Sequence, residues 1–302
     1  MTEHHLIGQS AMFMRVVNAA RMVAPTDATV LVSGETGTGK ATLAREIHAC
    51  STRRLRPFLA QTCATLPGDL FVLGPETEQG AALRAAAGGT LFLDEVADLG
   101  PAAQTALLRY LETGAVGPTG REPLSLRVVA ATATDLAARV SDGGFRGELY
   151  HRLNVVPLEL PPLRERTGDL PLLLKHHARL FARERGRPAS VFQVATLNAL
   201  KAYGWPGNVR ELRNLCERLA ILLPGAPVGL DNLPLEMRTS ARDGGTAGFR
   251  LPAGGIDLNL LEKDVIRQAL ALAAGNRSRA ARLLGISRDT LLYRIQKYGL
   301  VS

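Results

Sequence analysis

The stretch GETGTGK at residues 34–40 constrains the fold more than any other part of this 302-residue chain. It follows a short β-branched run at 28–33, and a helical pattern begins at residue 41. A strand, a glycine-rich loop and a helix in this order let backbone N–H groups and the helix N-terminus converge on phosphate. We therefore predict a nucleotide-phosphate loop whose candidate contacts are Gly34, Glu35, Thr36, Gly37, Thr38, Gly39, Lys40, Ala41 and Thr42.

This loop departs from the usual phosphate-binding motif at one position. The lysine that reaches the β- and γ-phosphates is present as Lys40, but Ala41 follows it where the motif has Ser or Thr. The hydroxyl at that position normally contacts Mg²⁺, and Thr42 comes one residue later. The open alternative is a glycine-rich turn that binds no nucleotide.

A second apolar strand ends in two carboxylates. The sequence LFLDE at 91–95 places Asp94 and Glu95 at the carboxyl end of a strand, which lies beside the phosphate loop in folds of this type. We predict that Asp94 holds Mg²⁺ through water and that Glu95 orients or activates the water that attacks ATP. The alternative is that the two acids cap the following helix. Because both motifs occur in this order, we predict ATP and Mg²⁺ as the cofactors.

Alternating patterns predict the fold class and the domains. Helical segments alternate with strand patterns at 28–33, 88–99 and 124–133, which predicts an α/β parallel sheet with helices on both faces. Strand-like runs stop near residue 171, and residues 171–223 read as helices with a break at 204–208. We predict an α/β nucleotide-binding subdomain at 1–165, a helical lid subdomain at 166–237, a flexible glycine-rich linker at 238–256 and an all-α unit at 257–302.

Residues 276–300 read as a helix-turn-helix. A short helix at 278–284 leads to Gly285, Ser287 is a good N-cap, and a second helix continues through Lys297. The segment is rich in arginine, which favours contacts with DNA bases and phosphates over a solvated helical hairpin. The candidate DNA contacts are Arg277, Arg279, Arg288, Thr290, Tyr293, Arg294 and Lys297. The preceding helix at 257–275 either packs on this unit or forms a dimer seam.

Composition agrees with a nucleic-acid partner and a cytoplasmic location. The net charge is +8, which favours an acidic partner, although a solvated basic surface is the alternative. No apolar run is long enough to span a bilayer, and the N-terminus lacks a signal-peptide pattern, so we expect no membrane partner. The three cysteines, Cys50, Cys63 and Cys216, show no metal or disulfide spacing and are predicted to be buried thiols.

Three arginines could stabilise charge on a transferred phosphate. Arg146 and Arg152 lie in FRGELYHRLNV at 145–155, with no nearby partner predicted from the sequence, and Arg210 lies in WPGNVREL at 205–212. Exposed surface arginine is the alternative for each of them.

The motifs in this order resemble the NtrC-like bacterial enhancer-binding proteins, which are AAA+ ATPases that activate sigma-54 RNA polymerase. The C-terminal unit resembles their Fis-type helix-turn-helix. The resemblance implies an AAA+ fold, a hexameric ring with ATP at subunit interfaces, Arg146 and Arg152 as an arginine-finger pair, and Arg210 as the sensor II arginine. It also implies enhancer or operator DNA and RNA polymerase holoenzyme as partners of a two-component-like regulator. Because the AAA+ motifs begin near Met1, we expect the usual N-terminal regulatory domain to be absent or supplied by another protein.

Four departures from the family pattern bear on activity. The family has Glu where this chain has Ala41, an asparagine that partners the Glu95 position where this chain has Thr62, and a sensor I amide where this chain has Ala133. The GAFTGA loop that contacts sigma-54 in the family is missing from residues 67–87. Phosphoryl transfer depends mostly on positioning, so we expect ATP binding to survive and hydrolysis to be weak.

Three hypotheses follow from these motifs. The first is a DNA-binding regulator that binds ATP but does not remodel sigma-54 polymerase, and that works as a homo-oligomer or with a paralogue. The second is a sigma-54 activator with ATPase activity and a variant loop. The third is a DNA-binding protein that uses its AAA+ domain only as an oligomerisation scaffold.

Overall fold

A parallel sheet with helices on both faces forms the N-terminal part of the chain, as the alternating patterns predict. The computed structural model describes residues 6–66, 71, 77–117, 121–239, 255–273 and 275–300. The chain divides into two compact units, 1–244 and 245–302, which are described separately below.

The main sheet contains five parallel strands within the described residues. The strands of the first unit are β1 (Val30–Ser33), β2 (Phe58–Thr62), β3 (Thr90–Asp94), β4 (Ala115–Val116), β5 (Glu122–Pro123), β6 (Arg127–Thr132), β7 (Val156–Glu159), β8 (Val191–Phe192) and β9 (Pro227–Val228). The order across the main sheet is β2-β3-β6-β1-β7. The sequence patterns identify β1, β3 and β6, whose side chains are largely buried. They miss β2 and β7 because those strands are only partly buried.

Helices cover both faces of the sheet and enclose a core on each. They are α1 (Ala11–Val23), α2 (Lys40–Ala49), α3 (Glu78–Ala85), α4 (Pro101–Thr113), α5 (Leu136–Ser141) and α6 (Gly147–Leu153). On one face Phe13 and Ile47 pack against Val32, and on the other Leu107 and Leu149 belong to a second cluster. Alternate residues of each strand thus enter opposite cores.

The lid follows the sheet and has its own core around Trp205. Its helices are α7 (Leu170–Glu184), α8 (Val194–Ala202), α9 (Asn208–Leu222) and α10 (Leu235–Thr239). The prediction that strands stop after residue 171 is wrong, because the two-residue strands β8 and β9 pair in parallel here. A two-residue strand carries too little periodicity to be read from sequence. Most of the predicted linker lies outside the described residues, and α10 occupies its first two positions.

Within its described residues the C-terminal unit contains three helices, α11 (Leu258–Leu272), α12 (Arg277–Leu283) and α13 (Arg288–Lys297). They enclose a small core of Ile266, Ala269, Ala280, Ala281 and Leu291. Across the part of the chain that the structure describes, no helix is long and apolar enough to cross a membrane.

Two of the three cysteines are buried, as expected of small thiols. Cys63 and Cys216 lie in the cores, whereas Cys50 is exposed, so the prediction is wrong for Cys50. Cys50 follows the last residue of α2, at a helix end that faces solvent.

Candidate nucleotide site and DNA-binding unit

The glycine-rich loop joins β1 to α2 in a conformation that only glycine adopts readily. Gly34, Gly37 and Gly39 have φ angles of 142°, 82° and 109°. A Cβ added to Gly34 would lie 2.7 Å from the carbonyl oxygen of Leu160, so the loop also passes close to the end of β7. With the first turn of α2, the loop has the backbone geometry of a phosphate cradle.

Lys40 begins α2 and turns back into the loop. Its side chain is 6% exposed, and its Nζ donates a hydrogen bond to the Gly34 carbonyl oxygen at 2.9 Å. The same Nζ lies 3.0 Å from Oε1 of Glu95. The loop lysine and the acid at the end of β3 are therefore brought together, as the two motifs predict.

The other positions singled out in the sequence, 62, 94, 95 and 133, lie at the carboxyl ends of β2, β3 and β6. Thr62 pairs in register with Asp94, and β6 lies between β3 and β1. Glu95 adopts a left-handed φ of 52°, and its Oε2 accepts the backbone N–H of Ala133 at 2.7 Å. Both oxygens of Glu95 are thus engaged, one by Lys40 and one by a main-chain donor. The side chains of Thr62 and Ala133 supply no amide to this arrangement.

Asp94 is the last residue of β3 and directly precedes Glu95. Burial and, next, the charge of Glu95 raise the pKa of its carboxyl, while the charges of Lys40 and Arg210 lower it. Among the described residues no cluster of three or more His, Cys, Asp or Glu side chains could hold a metal by itself. The donor set fits Mg²⁺ held by one carboxylate, water and the phosphates of a nucleotide.

Ala41 and Thr42 occupy the first turn of α2, and both are half-buried. Ala41 packs against the core on that face of the sheet. The position after Lys40 therefore offers apolar contact in place of a hydroxyl.

The lid turn before α9 lies directly on the phosphate loop. Val209 donates its N–H to the Gly37 carbonyl oxygen at 3.0 Å, and a Cβ added to Gly37 would lie 2.2 Å from the Gly207 carbonyl oxygen. Arg210 follows on the first turn of α9 and is exposed. Its Cβ lies 3.1 Å from the position that a Cβ on Gly37 would occupy. The structure thus brings Arg210 to the loop, as the resemblance implies for a sensor arginine.

Arg146 and Arg152 lie at α6 and have polar contacts with α4. Arg146 donates to the Thr105 hydroxyl at 3.3 Å and lies 3.7 Å from Glu148, and Arg152 lies 3.8 Å from Glu112. The near-sequence partner Glu148 corrects the expectation that Arg146 has none. The two side chains are 49% and 58% exposed. The partners of both arginines lie on α4 and α6 and not in the phosphate loop of the same chain.

Sequence reasoning missed two residues at this site, Asn208 and Arg164. Asn208 is fully buried with a φ of 51°, and its amide contacts the loop, while Arg164 forms an ion pair with Glu35. The Gly-Asn pair in WPGN was the available signal, because asparagine tolerates a left-handed turn.

The C-terminal unit has helix-turn-helix geometry. Ser287 caps α13 by accepting the Thr290 N–H at 3.1 Å, and Gly285 provides the turn with a φ of 65°. Arg288, Tyr293 and Lys297 are exposed on α13, and Tyr293 is 67% exposed. Arg277 and Arg279 are exposed on α12. These five predicted contacts are accessible to a ligand.

Two predicted DNA contacts are engaged within the unit. Arg294 forms an ion pair with Glu262 of α11, which also accepts the Tyr298 hydroxyl at 2.5 Å. The Thr290 hydroxyl lies 2.7 Å from the Ser287 hydroxyl. Arg294 therefore links α13 to α11 within the unit.

Comparison with known proteins agrees with these features. Residues 6–159 match the sigma-54 interaction domain, 164–248 match an AAA+ ATPase lid domain, and 258–298 match the Fis family of bacterial regulatory proteins. The transcriptional regulatory protein ZraR of Salmonella typhimurium is 40% identical over 97% of this chain and 68% of its own length. The chain belongs to the sigma-54 interaction family of AAA+ transcriptional regulators.

Among solved structures, this family member is similar to NtrX from Brucella abortus. The complex of NtrX with ADP has a TM-score of 0.72 at 31% identity, covering 99% of this chain and 70% of that one. The complex of NtrX with ATP has a TM-score of 0.71 at 32% identity, covering 98% and 69%. The AAA+ fold, the lid and the Fis-type helix-turn-helix inferred from the sequence are thereby confirmed. This family member is a DNA-binding transcriptional regulator with a nucleotide-binding AAA+ domain.

Proposed function

We propose that this regulator binds ATP with Mg²⁺, hydrolyses it weakly and does not remodel sigma-54 polymerase. The main observation behind this proposal is how the Glu95 carboxylate is held. One oxygen pairs with Lys40 and the other accepts a main-chain N–H, and the side chains at positions 62 and 133 offer it no amide. The protein would regulate transcription with another sigma factor, as a repressor, or as the partner of a complete paralogue.

The phosphate loop and its surroundings support ATP binding. The three glycines have positive φ angles, Lys40 is nearly buried beside them, and Arg210 lies next to Gly37. Asp94 is available to a Mg²⁺ ion that arrives with the nucleotide. ATP and ADP are each present in a solved structure of the relative NtrX, which supports the same ligand class.

The surroundings of Glu95 support weak hydrolysis. Phosphates that draw Lys40 away would leave Oε1 of Glu95 without its ion-pair partner. An amide at position 62 or 133 could then hold the carboxylate or the attacking water, but Thr62 and Ala133 provide none. Catalysis of phosphoryl transfer is mostly positioning, so the missing groups cost rate more than affinity.

The missing GAFTGA loop supports the loss of sigma-54 remodelling. Residues 67–87 do not contain that motif, and the family uses it as its contact to sigma-54. Within this stretch the structure describes only Phe71 and residues 77–87, which include α3, so the position of the family contact lies outside the described residues.

The positions of Arg146 and Arg152 favour assembly of the AAA+ domain. Both are about half exposed, and their partners lie on α4 or on their own helix. In a ring, such arginines would stabilise ATP held by the neighbouring subunit. The same retained residues, together with Asp94 and Glu95, favour the alternative of an active sigma-54-dependent ATPase.

Nucleotide binding and turnover measured on one preparation separate these proposals. We expect saturable ATP binding, with a steady-state kcat below about 0.1 s⁻¹ because the groups that position water are missing. The readouts are a titration with a fluorescent ATP analogue and release of inorganic phosphate, each with and without DNA. Turnover in the ordinary enzyme range of about 1–10³ s⁻¹ would favour the active ATPase, and absence of binding would favour a scaffold.

A further inference from the structure

The carboxylate of Glu35 contacts the lid, although it lies in the phosphate loop. Its two oxygens accept hydrogen bonds from the guanidinium of Arg164, at 2.9 and 2.6 Å. Oε2 also accepts Nδ2 of Asn208 at 3.1 Å. These hydrogen bonds, first from Arg164 and then from Asn208, lower the pKa of Glu35. The side chain is thus an anionic anchor for two lid-side residues.

Asn208 makes the second half of this connection. It is fully buried at the start of α9, and its Nδ2 also donates to the Thr36 carbonyl oxygen at 3.1 Å. Its Oδ1 accepts the Leu163 N–H at 2.7 Å. One buried amide therefore links the phosphate loop, the segment that enters the lid and the first residue of α9.

The turn before α9 is stabilised on its lid side. Glu211 accepts the Gly207 N–H at 2.8 Å and the Tyr203 hydroxyl at 2.9 Å. The indole of Trp205 is 1% exposed and donates to the Leu200 carbonyl oxygen at 2.8 Å. The turn is therefore tied to the lid core, and Arg210 lies on the first turn of the helix that follows it.

We propose that Glu35 is a lid-positioning residue, which couples the phosphate loop to Arg210 through Arg164 and Asn208. The inference rests on the proposed ATP binding, and it removes Glu35 from the set of direct nucleotide contacts. When nucleotide reorganises the loop, Glu35 carries the change to the lid turn. Without the Glu35 carboxylate, the loop still binds phosphate, but nucleotide binding changes the position of the lid turn less.

The chain carries a built-in reporter for this coupling. Trp205 is its one tryptophan and lies three residues before Asn208. We would titrate the full chain with ATP and follow Trp205 fluorescence, with a fluorescent ATP analogue as an independent measure of binding. The variants are Glu35→Gln, Arg164→Gln and the double variant. Arg185→Gln, which breaks the lid ion pair with Glu217 (3.1 Å), is the matched control.

We expect each single variant to lose at least half of the ATP-induced fluorescence change and to bind ATP about threefold to tenfold more weakly. The double variant should be no worse than the single variants, since both remove one connection. Arg185→Gln should match the wild type. Arg164→Lys keeps the charge but loses the bidentate geometry, so it should also lose most of the ATP-induced fluorescence change. This variant replaces Arg164→Gln in the experiment if Arg164→Gln fails to fold.

Different failures have different meanings. If the wild type binds ATP and the Glu35 and Arg164 variants show the same fluorescence change as the wild type, Glu35 does not position the lid. The same conclusion follows if the losses of fluorescence change in the two single variants add up in the double variant. If the analogue shows no binding to the wild type, the proposed ATP binding fails and this coupling fails with it.

Discussion

Lys40→Ala is expected to weaken ATP binding by about 10-fold to 100-fold, the largest single-residue effect on affinity in this site. The substitution removes a charge that is 6% exposed and placed in the glycine loop. A hydrogen bond to a charged group contributes about 1.5–3 kcal/mol, and about 1.4 kcal/mol corresponds to tenfold in affinity. Displacement of a fluorescent ATP analogue measures the loss.

Lys201→Ala provides a matched control, since Lys201 is an exposed lysine at the end of α8. It should bind ATP as the wild type does. Lys40→Ala also leaves Glu95 without its ion pair, so thermal unfolding is measured in parallel. Equal ATP affinity in wild type and a folded Lys40→Ala variant would mean that this loop is not the nucleotide site.

The double variant Thr62→Asn/Ala133→Asn is expected to raise the ATPase kcat by about tenfold or more. It returns amides to the two positions that flank Glu95, at the end of β2 and just after β6. A single well-placed donor contributes about 10²–10³-fold in rate at an established site, so partial restoration is enough for a clear gain. ATP affinity should change little, because neither residue belongs to the loop. Steady-state phosphate release is the measurement.

Thr26→Asn/Ala138→Asn makes the same two chemical changes at exposed positions outside the phosphate loop and the strand ends. This control should leave kcat at the wild-type value. If Thr62→Asn/Ala133→Asn binds ATP but turns over no faster than this control, the missing amides are not what limits hydrolysis.

The sequence was sufficient for the parts of the fold that rest on local patterns. The loop at 34–40, the strand ending in Asp94 and the N-cap at Ser287 each carry a signal within about ten residues, and the structure has the corresponding elements. Their order along the chain was enough to place Lys40 beside Glu95, because the parallel strands of one sheet all have their carboxyl ends at the same edge.

The contacts that escaped prediction depend on tertiary packing. Asn208 and Glu35 are separated by 173 residues, and nothing in either local sequence pairs them. Arg294 is a predicted DNA contact, and its ion pair with Glu262 of α11 could not be read from α13 alone. The strand β7 contains Pro157, which weakens its local strand signal. It lies at the edge of the sheet, where it pairs with β1.

Open-complex formation tests the central claim most directly. The assay combines the purified full chain, sigma-54 holoenzyme and ATP on a sigma-54 promoter that carries an upstream site selected for binding by this protein. A family member with the GAFTGA loop and its own site serves as the positive control. We predict that this protein occupies its DNA site and produces no ATP-dependent open complexes. Promoter opening by this protein alone, dependent on ATP and lost in Lys40→Ala, would contradict the account.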